Sequence, residues 1–133
     1  MMDAIQVLMI DDEELFVERM TKVLSRRGME VRSASDGRKG VELFAGGDCD
    51  VVVLDIRMPG MNGLEIFKAI RELDPLTPVI FLSGHMDSRQ VAQALKGGNT
   101  EILLKPCLVE TLASSIEDAC ERRRCFLDLS GRE

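Results

Sequence analysis

The 133-residue chain is 45% hydrophobic and carries a formal net charge of −6, enough apolar content for one well-buried core and too little length for two domains of ordinary size. Its acidity excludes a nucleic-acid backbone or an anionic membrane surface as the principal partner, since both attract basic patches. Cys49, Cys107, Cys120 and Cys125 form no C-x-x-C pair and have no histidine at metal spacing, which argues against zinc and redox motifs and fits reduced thiols in a cytosolic protein.

In chain order, the apolar run Ile5 to Ile10 is too short for a buried helix and reads as a fully buried parallel strand. Leu15, Phe16, Met20, Val23 and Leu24 follow at helical spacing, and Ser25-Arg26-Arg27-Gly28 supplies basic residues and a glycine stop. A weaker strand, Met29 to Ala34, precedes a helix over residues 37 to 45. Val51 to Leu54 is a second buried strand and is followed by a helix over 63 to 73. Val79 to Leu82 is the next strand, with a helix over 87 to 97. Glu101 to Leu104 is the fifth strand, before a last helix over 108 to 125 in which Leu108, Leu112, Ile116 and Cys120 form the core stripe. Strand alternating with helix implies an α/β fold, a doubly wound five-stranded parallel sheet with helices on both faces. The domain spans residues 4 to 124, and 125 to 133 reads as a short tail or the start of a linker. Neither a leader pattern nor an apolar stretch of membrane-spanning length is present, so the expected location is the cytoplasm.

The chemistry-bearing residues fall where strands end. Asp11-Asp12-Glu13-Glu14 follows the first strand, Asp55 closes the third, Ser83-Gly84 ends the fourth and Lys105-Pro106 the fifth. In open α/β sheets, ligands bind outside the carboxyl ends of the strands. Three carboxylates converging there repel one another unless a cation neutralises them, and an all-oxygen site suits Mg²⁺ or Mn²⁺. A Ser83 hydroxyl and a Lys105 ammonium would supply a donor and a charge for a phosphoryl group, with Asp55 as the nucleophile that forms an acyl phosphate.

V-L-M-I-D-D-E at residues 7 to 13, V-V-V-L-D-I-R-M-P-G-M-N-G at 51 to 63, V-I-F-L-S-G-H at 79 to 85 and L-L-K-P at 103 to 106 resemble, in order and spacing, the receiver domain of two-component response regulators. The resemblance implies strand order 2-1-3-4-5. It also implies that Asp11, Asp12 and the Arg57 backbone carbonyl join Asp55 around the metal, that Asp55 is phosphorylated, and that Ser83 and Lys105 bind the phosphoryl oxygens. Met58-Pro59-Gly60 through Gly63 would form the loop beside the site. The donor would be a sensor histidine kinase or phosphotransfer protein. The recipient of the signal would be a downstream effector domain or protein, or a homodimer formed on phosphorylation, with no direct contact to nucleic acid or membrane. Such a domain is no enzyme beyond catalysing its own phosphorylation and autodephosphorylation. The family carries an aromatic switch residue three positions before the lysine, where this chain has Ile102, which is expected to fill a fixed core slot. Arg57 and His85, each two residues beyond a site residue, would modulate the lifetime of the acyl phosphate.

Plainer readings exist for each residue taken singly. Asp11 to Glu13 alone would be an acidic helix start favoured by the macrodipole, Ser83 a turn hydroxyl, and Lys105 a surface lysine. Their joint placement at strand ends is what points to function. His85 is expected in a loop bordering the site, since a lone imidazole has no companion ligands. Arg122 to Arg124 is expected to decorate the exposed end of the last helix. A phosphatase of the haloacid-dehalogenase type would need D-x-D-x-[T/V] after the first strand, and that pattern fails at Leu15. A flavodoxin-like nucleotide binder would need a Ser-, Thr- and Gly-rich loop where four acids stand. A pseudo-receiver would lack acceptor-site residues that are all present here.

Overall fold

The computed structural model describes residues 4–58, 60–84, 92, 96 and 98–130. Chain order is β1 (Gln6–Ile10), α1 (Glu14–Arg26), β2 (Glu30–Ala34), α2 (Gly37–Ala45), β3 (Val51–Asp55), β4 (Arg57–Met58), β5 (Met61–Asn62), α3 (Gly63–Leu73), β6 (Val79–Ser83), β7 (Thr100–Leu104) and α4 (Val109–Ser130). Five strands form one parallel sheet in the order β2-β1-β3-β6-β7, the order the resemblance implied. Of the expected helix over 87 to 97, Ala92 and Lys96 are helical, and the rest of that segment lies outside the described residues.

The central strands are apolar between their polar ends because both faces are covered. Val7, Met9, Val51, Val53, Ile80 and Leu82 pack with Met20 and Leu24 of α1 and Leu112, Ile116 and Cys120 of α4. Their strand neighbours Leu8, Ile10, Val52, Leu54 and Phe81 pack on the other face with Phe44 of α2 and Ile66, Phe67 and Ile70 of α3. The period of two along each strand thus sorts side chains between two cores. The edge strands β2 and β7 are only partly buried, which is why their apolar signal is weaker.

Local signals set the boundaries. The α1 stop is a Schellman motif: Gly28 takes φ +85, its amide donates to Ser25 O, and the Met29 amide returns to Leu24 O at 3.1 Å. Asp36 caps α2 by accepting from the Lys39 amide, and Asn62 caps α3 by accepting from the Leu64 amide. The segment expected as a loop after Asp55 contains a short antiparallel ladder, Arg57 opposite Asn62 and Met58 opposite Met61, with Gly60 at φ +82 in its turn. Pro59 lies outside the described residues.

Four details correct the sequence reading. Leu108 is 69% exposed: α4 begins at Val109 and Leu108 only offers its carbonyl to the Leu112 amide, so its side chain precedes the helical stripe. Leu15 is also 69% exposed, because it stands nine residues, about two and a half turns, from Leu24 and therefore on the opposite side of α1. The last helix passes Cys125 and reaches Ser130, since neither glycine nor proline interrupts residues 109 to 130. As a result Arg123 and Arg124 do not decorate a helix end. They are half-buried within α4 and pair with Asp50 at 3.5 Å, and Arg123 also pairs with Asp74 at 3.5 Å.

Candidate functional site at the carboxyl end of the sheet

Backbone hydrogen bonds tie the end of β1 to that of β2, the end of β3 to β6, and the end of β6 to β7. The Asp11 amide donates to Ala34 O, the Ile56 amide to Leu82 O at 3.0 Å, and the Lys105 amide to Ser83 O at 2.8 Å. These bonds bring residues remote in sequence to one edge. Asp11, Asp55 and Ser83 are buried there, at 2%, 6% and 2% exposure. Asp55 pairs in register with Leu82 and Ser83 with Leu104, so Ser83 ends the strand that lies between the one ending in Asp55 and the one leading to Lys105. The Lys105–Pro106 peptide is cis.

One carboxylate oxygen from each of Asp11, Asp12 and Asp55 lies within 4.8 Å of the others. Oxygens that close fit around a hard cation with bonds of about 2.0–2.1 Å after small side-chain adjustments. An observation within the cluster points the same way: Asp11 Oδ2 is buried without a directed hydrogen bond. Lys105 Nζ stands 2.8 Å from that oxygen, an ion pair made off the hydrogen-bond direction. An oxygen-only donor set of three clustered carboxylates fits Mg²⁺ or Mn²⁺.

Asp55 is held at both oxygens. Oδ1 accepts from the Arg57 amide at 3.1 Å, and Oδ2 faces Lys105 Nζ at 3.4 Å. Burial raises its pKa above the ordinary carboxylate value and the nearby Asp11 charge adds to the rise, whereas the Arg57 amide and Lys105 oppose it. For Lys105, burial alone would lower the pKa, but the contacts with Asp11 and Glu13 and the charge of Asp55 outweigh it and hold the ammonium above its ordinary value. The ammonium also lies 4.7 Å from the centre of the Phe16 ring, a cation–π contact.

Among the expected site residues, Asp11, Asp12, Asp55 and Lys105 converge, and Ser83 sits at the adjoining strand end. Arg57 contributes its amide, while its side chain is exposed. Ile102 pairs with Phe81 and is only partly buried against the α2 and α3 core, so the slot it occupies is partly open. His85 lies outside the described residues. Sequence reasoning missed Glu13, whose Oε1 accepts from Lys105 Nζ at 2.8 Å, and Phe16. Nothing in a run of four acids marks which of them turns inward. A cavity of about 730 Å³ opens at the opposite end of the sheet, where Arg123 and Arg124 pair with Asp50.

A family model described as the response regulator receiver domain matches residues 7–117. The C4-dicarboxylate transport transcriptional regulatory protein DctD of Pseudomonas aeruginosa is 36% identical over 92% of this chain, and the chain spans 27% of that protein's length. A solved receiver domain protein from Clostridium thermocellum is 32% identical with a TM-score of 0.86, covering 92% of this chain and 98% of that one. A response regulator from Burkholderia pseudomallei, solved with a phosphorylated aspartic acid, a calcium ion and citrate, is 25% identical with a TM-score of 0.79, covering 95% and 74%.

Proposed function

This chain belongs to the response regulator receiver domain family, and from that premise we propose that Asp55 is its phosphoryl acceptor, loaded by a sensor histidine kinase or phosphotransfer protein. The observation that carries the reading is Asp55 itself: a buried carboxylate with Oδ1 on the Arg57 amide and Oδ2 facing Lys105, beside two further aspartates. In the transfer, an Asp55 oxygen bonds to phosphorus as the phosphorus–nitrogen bond of the donor histidine breaks, and the imidazole leaves with the electron pair. Lys105 and the Ser83 hydroxyl bind the phosphoryl oxygens and stabilise their charge. Asp11, Asp12, Asp55 and the Arg57 carbonyl would hold Mg²⁺ or Mn²⁺, which offsets the carboxylate repulsion and the charge on the phosphoryl group. The phosphorylated aspartic acid and calcium ion in the Burkholderia relative support this assignment.

The domain catalyses only its own phosphorylation and autodephosphorylation, the second modulated by Arg57 and His85. The new charge of about −1.5 to −2 biases the surface that meets a downstream effector or a second copy, and the cytoplasm is the compartment that fits kinase and effector. Incubation with acetyl phosphate and Mg²⁺, followed by intact mass measurement, should show one added phosphoryl group that alkali removes. The same group on Asp55→Asn protein would refute the acceptor assignment.

A further inference from the structure

We infer that Glu13 is a positioning residue for Lys105, a parking place that takes the ammonium when a cation claims Asp11 and Asp55. The inference rests on the functional reading above.

Glu13 is the residue before α1, with φ −82 and ψ 91, and its side chain makes no capping hydrogen bond. An acid there would ordinarily turn toward the unsatisfied first-turn amides, which the macrodipole favours. Its Oε1 instead accepts from Lys105 Nζ at 2.8 Å, across 92 residues of sequence. Its amide meanwhile donates to Asp11 Oδ1 at 2.9 Å. One residue therefore orients a carboxylate of the cluster through its backbone and holds the phosphoryl-binding cation through its side chain.

Among the described residues, Lys105 has three carboxylate neighbours: Asp11 Oδ2 at 2.8 Å, Glu13 Oε1 at 2.8 Å and Asp55 Oδ2 at 3.4 Å. Asp11 and Asp55 belong to the metal cluster, and an ammonium shared with them repels an incoming cation. Glu13 is the neighbour outside the cluster. It keeps the ammonium partnered when the other two are taken, within reach of the phosphoryl group that Asp55 will carry. Without it, Lys105 settles on Asp11 and Asp55, and the cation must displace it from both.

A double-mutant cycle in the full chain separates this role from a general loss of negative charge. Mg²⁺ is titrated calorimetrically into wild type, Glu13→Gln, Lys105→Met and the double variant, with circular dichroism confirming that each is folded. Lys105→Gln fills the same corner if Lys105→Met does not fold. Glu13→Gln should weaken Mg²⁺ binding by a factor roughly two- to fivefold larger with Lys105 present than with it replaced, the range an ion pair of this exposure supplies. An equal factor in both backgrounds, or tighter binding by Glu13→Gln, overturns the inference and leaves the acceptor reading intact. Failure of the wild type to bind Mg²⁺ overturns the metal site and this inference together.

Discussion

Gly63 fixes how closely α3 approaches the acceptor strand, and Gly63→Ala tests that contact. Gly63 opens α3, and its amide donates to Ile56 O at 2.9 Å. A Cβ built there would lie 2.7 Å from Asp55 O, 2.7 Å from Ile56 Cα and 2.8 Å from Ile56 O. All three are backbone atoms, so no rotamer change relieves the clash, and ordinary carbon contacts of about 3.5–4.0 Å require a shift of the helix or of the strand end. Overpacking costs about 1–3 kcal/mol and loss of the amide bond about 1 kcal/mol, while the stiffer unfolded chain returns about 0.4–1 kcal/mol. The net expectation is a destabilisation of about 1–3 kcal/mol. The chain has no Trp or Tyr, so urea unfolding is followed by far-ultraviolet circular dichroism. The midpoint should fall by about 0.5–1.5 M at unchanged slope. Gly60→Ala is the control, because Gly60 has φ +82 and open space around its Cβ position; it loses about 1–2 kcal/mol through the backbone alone and leaves Asp55 where it is. Acetyl phosphate uptake should therefore slow more in Gly63→Ala than in Gly60→Ala. Wild-type stability for Gly63→Ala, within about 0.5 kcal/mol, would refute the close-approach argument.

Saturating Mg²⁺ should raise the melting temperature by mass action, worth about 2.7 kcal/mol at a hundredfold excess over Kd, and Asp12→Ala should remove most of that gain; an unchanged gain would place the ion elsewhere. For Asp74, burial raises the pKa, but the Thr77 hydroxyl, the Leu76 amide and Arg123 outweigh it and hold the carboxyl below its ordinary value. A depressed folded pKa contributes stability that is fully present above the unfolded value of 3.8 and is lost as pH falls through the folded value. The stability gap between wild type and Asp74→Asn should thus close as acid unfolding proceeds below that pH; a gap independent of pH would exclude the ionised carboxylate as its source. Burial pushes the Cys49 thiol up to about 12, whereas Cys125 is exposed. Iodoacetamide at mildly alkaline pH should therefore modify Cys125 well before Cys49, as peptide mapping would reveal, and equal rates would contradict the burial of Cys49.

The sequence by itself determined the order of the five sheet strands and of the helices α1, α2, α3 and α4 among the described residues, because apolar runs of strand length and helical stripes are local patterns. Val51 to Leu54 could be read as a strand with helices on both sides since every residue in it is apolar, and Gly28 marked the end of α1 because only a residue at ease with positive φ completes that turn. The acids, Ser83 and Lys105 were legible as a site because strand ends of a parallel sheet all point the same way. Tertiary structure alone decided what those residues touch. That Glu13 rather than Asp12 holds Lys105, that Phe16 flanks the ammonium, and that Arg123 joins Asp50 to Asp74 depend on contacts between residues far apart in sequence, which no local period encodes. Leu15 and Leu108 show the same limit, for an apolar residue beside a helical stripe is sorted inward or outward by where the helix starts and how it packs against the sheet. Those outcomes follow from global burial, to which a short window of sequence has no access.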